Sequence, residues 1–299
     1  MRYVNYFDNV LMKFLLLALI ILNVPAYSQV FNGKVLDAAT GQPLEYANIG
    51  VSGKSIGGIS FQNGEFSIDL SSAAKQDVVR ISYIGYESQS LIISSLDLTQ
   101  HHAIRLSPKP MHLDPIVISE KLETHNIGNQ KASRTFTGWG DFKSLRGRTR
   151  GLLIEGTECP VRVKSFFFRI NHNDWDSVAF RLNFIKVENG KEGVSLLQKN
   201  IIFTTALRHK WIKVDVINYN VILCSKAIVT LEWVDAWGKL GEYSNMLTLS
   251  LSKSSGHLYL REPGEEVGSL KMDDHAPAMY LEVYGKYACH FMRGPAPYC

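Results

Sequence analysis

Apolar and polar residues alternate along most of the chain with a period of two. Phe66, Ile68 and Leu70 alternate with Ser67 and Asp69, and Val79, Ile81 and Tyr83 alternate with Arg80 and Ser82. Such alternation places one face of a strand against a core and the other toward water. Turn chemistry separates the runs: Thr40-Gly41-Gln42-Pro43 precedes one strand, and Asn63-Gly64, which accepts the positive φ of a tight hairpin, precedes Glu65-Phe66. Residues 29–108 therefore read as a small all-β domain. Residues 109–137, polar from Glu120 to Arg134, read as a linker. From Trp139 the strand pattern returns. Phe166-Phe167-Phe168-Arg169-Ile170 reads as a buried run. Val178, Phe180, Leu182 and Phe184 alternate with Ala179, Arg181, Asn183 and Ile185, and Ile212, Val214 and Val216 with Trp211, Lys213 and Asp215. Further runs follow at Ile228-Trp233, Leu247-Leu251 and Met279-Val283. Short strands at near-regular spacing predict a second β-sandwich, of jelly-roll type, over residues 138–290, with a tail at 291–299. Helical periodicity is scarce, so the fold class is all-β, and the two sandwiches are expected to fold separately about the linker.

The first block also carries ordered motifs. Gly33-Lys34-Val35-Leu36-Asp37, Thr40-Gly41-Gln42-Pro43-Leu44, Ala47-Asn48-Ile49, Gly58, Asn63-Gly64-Glu65-Phe66 and Ile81-Ser82-Tyr83-Ile84-Gly85-Tyr86 follow one another in that order. This string resembles the carboxypeptidase regulatory-like domain. The resemblance implies a prealbumin-like β-sandwich that serves as a non-catalytic folding or interaction module. Gram-negative glycan-foraging bacteria carry it on exported proteins, among them TonB-dependent outer-membrane transporters. Leu113-Asp114-Pro115-Ile116-Val117-Ile118 resembles the strand that closes the linker in those transporters, with Pro115 in place of the usual acidic residue. A plug and a long barrel do not fit in 299 residues, so the front module is expected here without the transporter. The order of Phe180-Arg181-Leu182-Asn183, Asn189-Gly190, Trp211, Tyr219-Asn220-Val221 and Leu231-Glu232-Trp233 is similar to the second domain of short exported proteins that pair it with this module. No assigned chemistry comes with that likeness.

The N-terminus adds a compartment. Residues 14–22 are an unbroken apolar run after Lys13, followed by Ala26-Tyr27-Ser28. This is the pattern of a secretory signal peptide cleaved after Ser28, with Met12 a second candidate start. A further long apolar segment is lacking, so the mature chain is expected to have no transmembrane segment and to lie in the periplasm, at the outer membrane or outside the cell. The net charge is +4, from 32 basic and 28 acidic residues, without a long basic run, which argues against a dedicated nucleic-acid binder. The four cysteines, Cys159, Cys224, Cys289 and Cys299, allow three pairings. Disulfides are permitted in an exported chain; the absence of Cys-x-x-Cys excludes a zinc ribbon or thioredoxin-type motif, and the plain reading is free or buried thiols.

Candidate chemistry is sparse. The sequence holds no His-x-x-Glu pair for a zinc peptidase and no Gly-x-Ser-x-Gly for a serine hydrolase. His101-His102 are adjacent and would face opposite sides of a strand, and Ser254-Ser255-Gly256-His257 are too close together for a triad. Glu155, Glu158, Glu232, Asp235 and Glu242 could serve a glycosidase, but no spacing singles out a pair. The oxygen-rich Asn171-His172-Asn173-Asp174-Trp175-Asp176 is a candidate calcium loop through Asp174 and Asp176; no other cofactor is expected. Trp139, Trp175 and Trp237 stand near predicted loops, where an indole can stack on a sugar ring. Trp175 and Trp237 are taken as ligand-binding candidates, while Trp211 and Trp233, inside strand patterns, are assigned to the core. The sequence thus points to an exported, non-catalytic interaction or binding module of the bacterial envelope, with an envelope protein or a glycan as partner. The alternatives are a glycan-binding accessory protein using exposed aromatics of the second domain, and an unrecognised hydrolase.

Overall fold

The computed structural model describes residues 29–109, 123–139, 146–156, 160–238, 246–254 and 256–285. The signal segment lies outside them, as do Cys159, Cys289 and Cys299. Among the described residues no helix is long and apolar enough to cross a membrane.

Seven strands form the first domain: β1 (Val30–Asp37), β2 (Asn48–Val51), β3 (Gly57–Ile59), β4 (Glu65–Asp69), β5 (Val78–Ser82), β6 (Gln89–Ile92) and β7 (His101–Leu106). They make a three-stranded sheet ordered β4-β1-β7 and a four-stranded sheet ordered β3-β2-β5-β6. The alternating residues meet between the sheets. Phe31 and Val35 of β1 pack with Phe66, Ile68, Val79, Ile81, Ile104 and Leu106, all buried. Each such side chain stabilises the sandwich by roughly 1.5–3 kcal/mol.

The second domain continues with β8 (Thr124–Gly128), β9 (Phe136–Gly138), β10 (Thr149–Ile154), β11 (Val161–Asn173), β12 (Ser177–Glu188), β13 (Lys191–Ser195), β14 (Ile201–Thr205), β15 (Trp211–Asp215), β16 (Ile222–Leu223), β17 (Ala227–Trp237), β18 (Leu247–Ser252), β19 (Gly256–Arg261), β20 (Ser269–Asp273), β21 (Ala276–Pro277) and β22 (Met279–Tyr284). A front sheet runs β13-β12-β17-β10-β19-β20, with β14 also on β12. A back sheet runs β21-β18-β11-β22-β8, with β15 and β16 on β11 and β9 on β18. The core between them contains Phe166, Phe168, Ile170, Phe180, Leu182, Phe184, Leu231, Trp233 and Leu281. The all-β, sandwich-like expectation holds.

Two expectations change. The polar stretch read as a linker is strand at two places. β8 pairs with β22 from Tyr280↔Gly128 to Tyr284↔Thr124, and β9 pairs with β18. These strands read as linker because their outward positions are polar and only their pairing reveals them. The two sandwiches, expected to fold separately, share a buried contact. Tyr46 and Ile59 of the first domain cluster with Ala179 and Val234 on the outer side of the front sheet. Beside them Arg181 donates to Glu232 Oε2 from Nε (2.8 Å) and Nη2 (2.6 Å), to the Tyr46 carbonyl (2.5 Å) and to Asn48 Oδ1 (3.1 Å). Arg146 donates to the carbonyls of Val234 (2.8 Å) and Ser60 (2.5 Å), and its guanidinium lies 4.1 Å from the Phe61 ring centroid. The Tyr46 hydroxyl donates to Asp235 Oδ2 (3.1 Å), and its own ionisation is pushed up by burial and by that carboxylate. Gly50 and Gly264 let the backbones close. A Cβ at Gly50 would stand 2.0 Å from the Gly264 carbonyl oxygen, and Gly264 takes φ +82°.

Candidate binding face

The first domain packs on the front sheet's outer side around Ala179, Arg181, Glu232 and Val234, and the outer side of the back sheet carries a different set of residues. In β11, Phe166, Phe168 and Ile170 point inward, so the pleat turns Phe167, Arg169 and Asn171 outward, where they are half-buried. In β15, Ile212 and Val214 are inward and Trp211, Lys213 and Asp215 outward; in β22, Tyr280, Glu282 and Tyr284 are outward. Register then sets the neighbours. Phe167 stands opposite both Tyr280 and Lys213, and Arg169 stands opposite Trp211. The Phe167 and Tyr280 rings stack at 4.5 Å with 4° between planes, and Trp211 meets Tyr280 edge-on at 5.2 Å. On the next strand the residue opposite Tyr280 is Gly128, at φ +104°, which places no side chain beside the ring.

Charges on this face fall into two groups. At the β22 end they are paired: Lys164 with Glu282 at 2.9 Å, and Lys213 with Asp215 at 3.0 Å. Asp215 also accepts from the Ser165 hydroxyl, and this bond, then Lys213, holds its carboxyl below the usual range. The Glu282 bond raises Lys164. At the Trp211 end the chain forms an open groove of about 1110 Å³ whose charged lining is Lys131, Arg134, Arg169 and Lys253. The rest of the lining is Trp211 with small or hydroxyl side chains, and it includes no carboxylate. None of the four cations forms an ion pair with a described residue. The segment carrying Lys131 and Arg134 is tied to β18. Ser133 donates its N–H and its hydroxyl to the Leu251 carbonyl, and Leu251 N–H donates to Thr135 O.

The sequence-derived candidates fare differently. Trp175 is 4% exposed and packs edge-on against Trp233 at 6.0 Å; it belongs to the core and offers no open indole face, a correction to its assignment as a ligand platform. Trp139 is fully buried as well. Trp237 is 38% exposed at the end of β17, opposite Ser177; the residues that follow Gly238, from Lys239 to Gly241, lie outside the described residues. Trp211, assigned to the core, is only half-buried and borders the groove, and Phe167 turns out of the run read as buried. The oxygens of Asp174 are occupied: Oδ1 bonds His172 Nε2 (2.7 Å), and Oδ2 accepts from Met246 N–H (2.8 Å), which holds its carboxyl low. Asp176 sits against Gly238. Among the described residues no three His, Cys, Asp or Glu side chains gather as a metal group. Of the carboxylates available to a glycosidase, Glu232 binds Arg181, Asp235 binds Tyr46 and Glu155 pairs with Lys226; Glu158 and Glu242 lie outside the described residues. His102 bonds the Asp97 carbonyl and packs on Phe31, away from any such group. Cys224 is disulfide-bonded, which overturns the free-thiol expectation for it.

Sequence reasoning missed Phe167, Tyr280, Arg169, Arg134, Lys131 and Lys253. One signal was present: Arg169 inside an apolar run marks Phe167, Arg169 and Asn171 as outward positions of β11.

Comparison with known proteins locates the first domain. Residues 31–118 match the family described as the CarboxypepD_reg-like domain. No curated protein matches the chain. Among solved structures, the cysteine protease and lectin-like domains of Cwp84, a surface layer associated protein of Clostridium difficile, align at 11% identity and TM-score 0.33, over 46% of this chain and 32% of that one. Infectious bursal disease virus Gx strain aligns at 9% identity and TM-score 0.26, over 77% of this chain and 51% of that one. The chain thus spans about a third to a half of the length of these structures. Likeness this slight carries no weight for fold or activity.

Proposed function

We propose that the chain is an exported, non-catalytic binding protein of the cell envelope, and that its ligand face is the outer side of the back sheet, with a carbohydrate chain as ligand. The observation that carries this is the half-buried Phe167–Tyr280–Trp211 strip on the outer side of the back sheet. Aromatic rings on a rigid strand scaffold supply apolar area with fixed geometry, which suits the flat faces of sugar rings. Export is supported by the apolar N-terminal run with Ala26-Tyr27-Ser28 and by the disulfide at Cys224, since such bonds persist in oxidising compartments. The first domain fits a non-catalytic role, because its motifs are turn and core chemistry. The test is affinity electrophoresis of the full chain in gels cast with a panel of polysaccharides. Trp211→Ala and Tyr280→Ala should each weaken retention by about 1–3 kcal/mol, as aromatic stacking does elsewhere. Unchanged retention in both folded variants would move the ligand elsewhere, and Trp237→Ala is then the variant to compare.

A further inference from the structure

The groove beside the aromatic strip says more about the ligand than the strip does. Resting on the carbohydrate reading above, we infer that the ligand is an acidic polysaccharide, one carrying carboxylate or sulfate groups along its length, with its sugar rings on Trp211 and its anions on Lys131, Arg134, Arg169 and Lys253. These cations line one groove, no carboxylate stands in its lining, and none forms an ion pair with a described residue. The contrast with the other end of the same face is direct: there every outward acid has its own lysine. A cluster of like charges repels itself and concentrates counter-anions, so it favours a ligand that brings negative charge. The groove's size and openness suit a chain rather than an enclosed small molecule, for which sites of about 300–1,000 Å³ with most of the ligand buried are usual. The ties of Ser133 and Thr135 to Leu251 fix the backbone of the segment that carries two of the cations, which lowers the ordering cost of binding. A nucleic acid would also satisfy a basic and aromatic surface. The signal-peptide pattern and the disulfide favour a compartment where anionic polysaccharides, rather than nucleic acids, are the abundant polyanions.

The experiment uses the full chain on immobilised polygalacturonate, dextran sulfate, neutral dextran, polyglutamate and oligodeoxythymidylate, at low salt and at about 1 M salt, where the screening length shrinks to about 3 Å. Retention on polygalacturonate or dextran sulfate at low salt, lost at high salt and exceeding that on the other three, is expected; the two acidic supports separate a carboxylate from a sulfate preference. The double variant Lys131→Glu/Arg134→Glu changes two exposed positions and should weaken retention on the order of tenfold or more. Lys109→Glu/Lys191→Glu makes the same change in net charge away from the groove and should leave retention within about twofold. Thermal melts of both variants check folding; should the first not fold, Arg169→Gln with Lys253→Gln replaces it. Equal loss in both doubles reduces the effect to net charge and overturns the inference. Equal or better retention on polyglutamate or oligodeoxythymidylate overturns the ligand class. Retention on neutral dextran, unaffected by the groove variant, overturns the inference and leaves the carbohydrate reading standing; retention on no polysaccharide sinks both.

Discussion

Removing the Arg181 side chain should do more damage than any surface change, and it should do so at the contact between the domains. Arg181 is 2% exposed, and its partner Glu232 has a side chain only 4% exposed. Truncation to alanine leaves the Glu232 carboxylate inside the protein with Arg261 Nη2, 3.5 Å away, as its remaining cation. It also removes the donors held by the Tyr46 carbonyl and the Asn48 amide, both on the first domain. Breaking a buried pair by deleting one member costs about 3–5 kcal/mol, because the surviving charge is desolvated without compensation. For a chain of this size that corresponds to a fall in melting temperature of about 6–20 °C. Replacing both members, Arg181→Met with Glu232→Leu, removes that pair, leaves Arg261 with Glu192 at 3.9 Å, and should recover part of the loss. Lys213→Ala, which deletes an exposed pair, should barely move the transition. Calorimetry of these variants separates the cases, and a split into two transitions in Arg181→Ala would show the domains released from one another. An Arg181→Ala protein that melts within about 1 °C of the parent, as an exposed pair would allow, refutes the reasoning.

Trp175→Ala should destabilise by about 3–5 kcal/mol, as expected of a buried indole, whereas Trp237→Ala, with over a third of the residue in water, should cost far less; chemical denaturation of the two compares them directly. Cys224 should appear in a cross-linked peptide on non-reducing digestion. Its expected partner is Cys159, three residues beyond Gly156, where an added Cβ would meet Ser225 and Lys226 backbone atoms at 2.8–3.0 Å; a Cys224 peptide carrying a free thiol would contradict this. Asp37 is held below its ordinary 3.8 by the Tyr86 hydroxyl and the Ala39 N–H, and Asp77 by Lys54 and the Ala74 N–H. A depressed carboxylate favours the folded state when ionised, so this contribution is complete above about pH 4 and is lost as pH falls through the depressed values. Melting temperature should therefore drop on the acid side, and less steeply in Asp37→Asn; an identical acid slope in that variant would count against the assignment.

Much of this molecule was legible from alternation alone. Phe66 and Ile68, Val79 and Ile81, and Phe180 and Leu182 all point into cores as a period of two requires. What alternation could not supply was the identity of whatever covers each outward face. Arg181 and Glu232 read as solvent-facing positions because their strands bury the other side, and only the docking of a segment more than a hundred residues away encloses them. The same limit hid β8 and β9, whose polar outward residues mimic a linker until pairing with β22 and β18 is known. Trp175 failed for the converse reason. A predicted loop position says nothing of the direction in which a large side chain folds back, and this one folds into the core beside Trp233. In the run from Phe166 to Ile170 hydrophobicity was read as burial, when the strand period, with Arg169 as its marker, already separates two faces.

The two outer faces of the second sandwich differ in a way that bears on what each is for. On the front, the polar groups of the contact meet partners: Arg181 pairs with Glu232, the Tyr46 hydroxyl donates to Asp235, and Arg146 donates to carbonyls and lies over the Phe61 ring. Small apolar residues, Ala179 and Val234, let the surfaces approach. A contact whose charged groups are largely paired after water is excluded suits a lasting association. The back face is built the other way. Its aromatics are half-covered, its acids pair with local lysines at one end, and its groove cations at the other end form no ion pair with a described residue. Charges that remain solvated in the free protein cost little while they wait and gain when a polyanion arrives, which suits reversible binding whose strength follows ionic strength. The first domain therefore need not touch the ligand to matter. It packs on the front face around Ala179 and Val234, opposite the sheet proposed to carry the ligand.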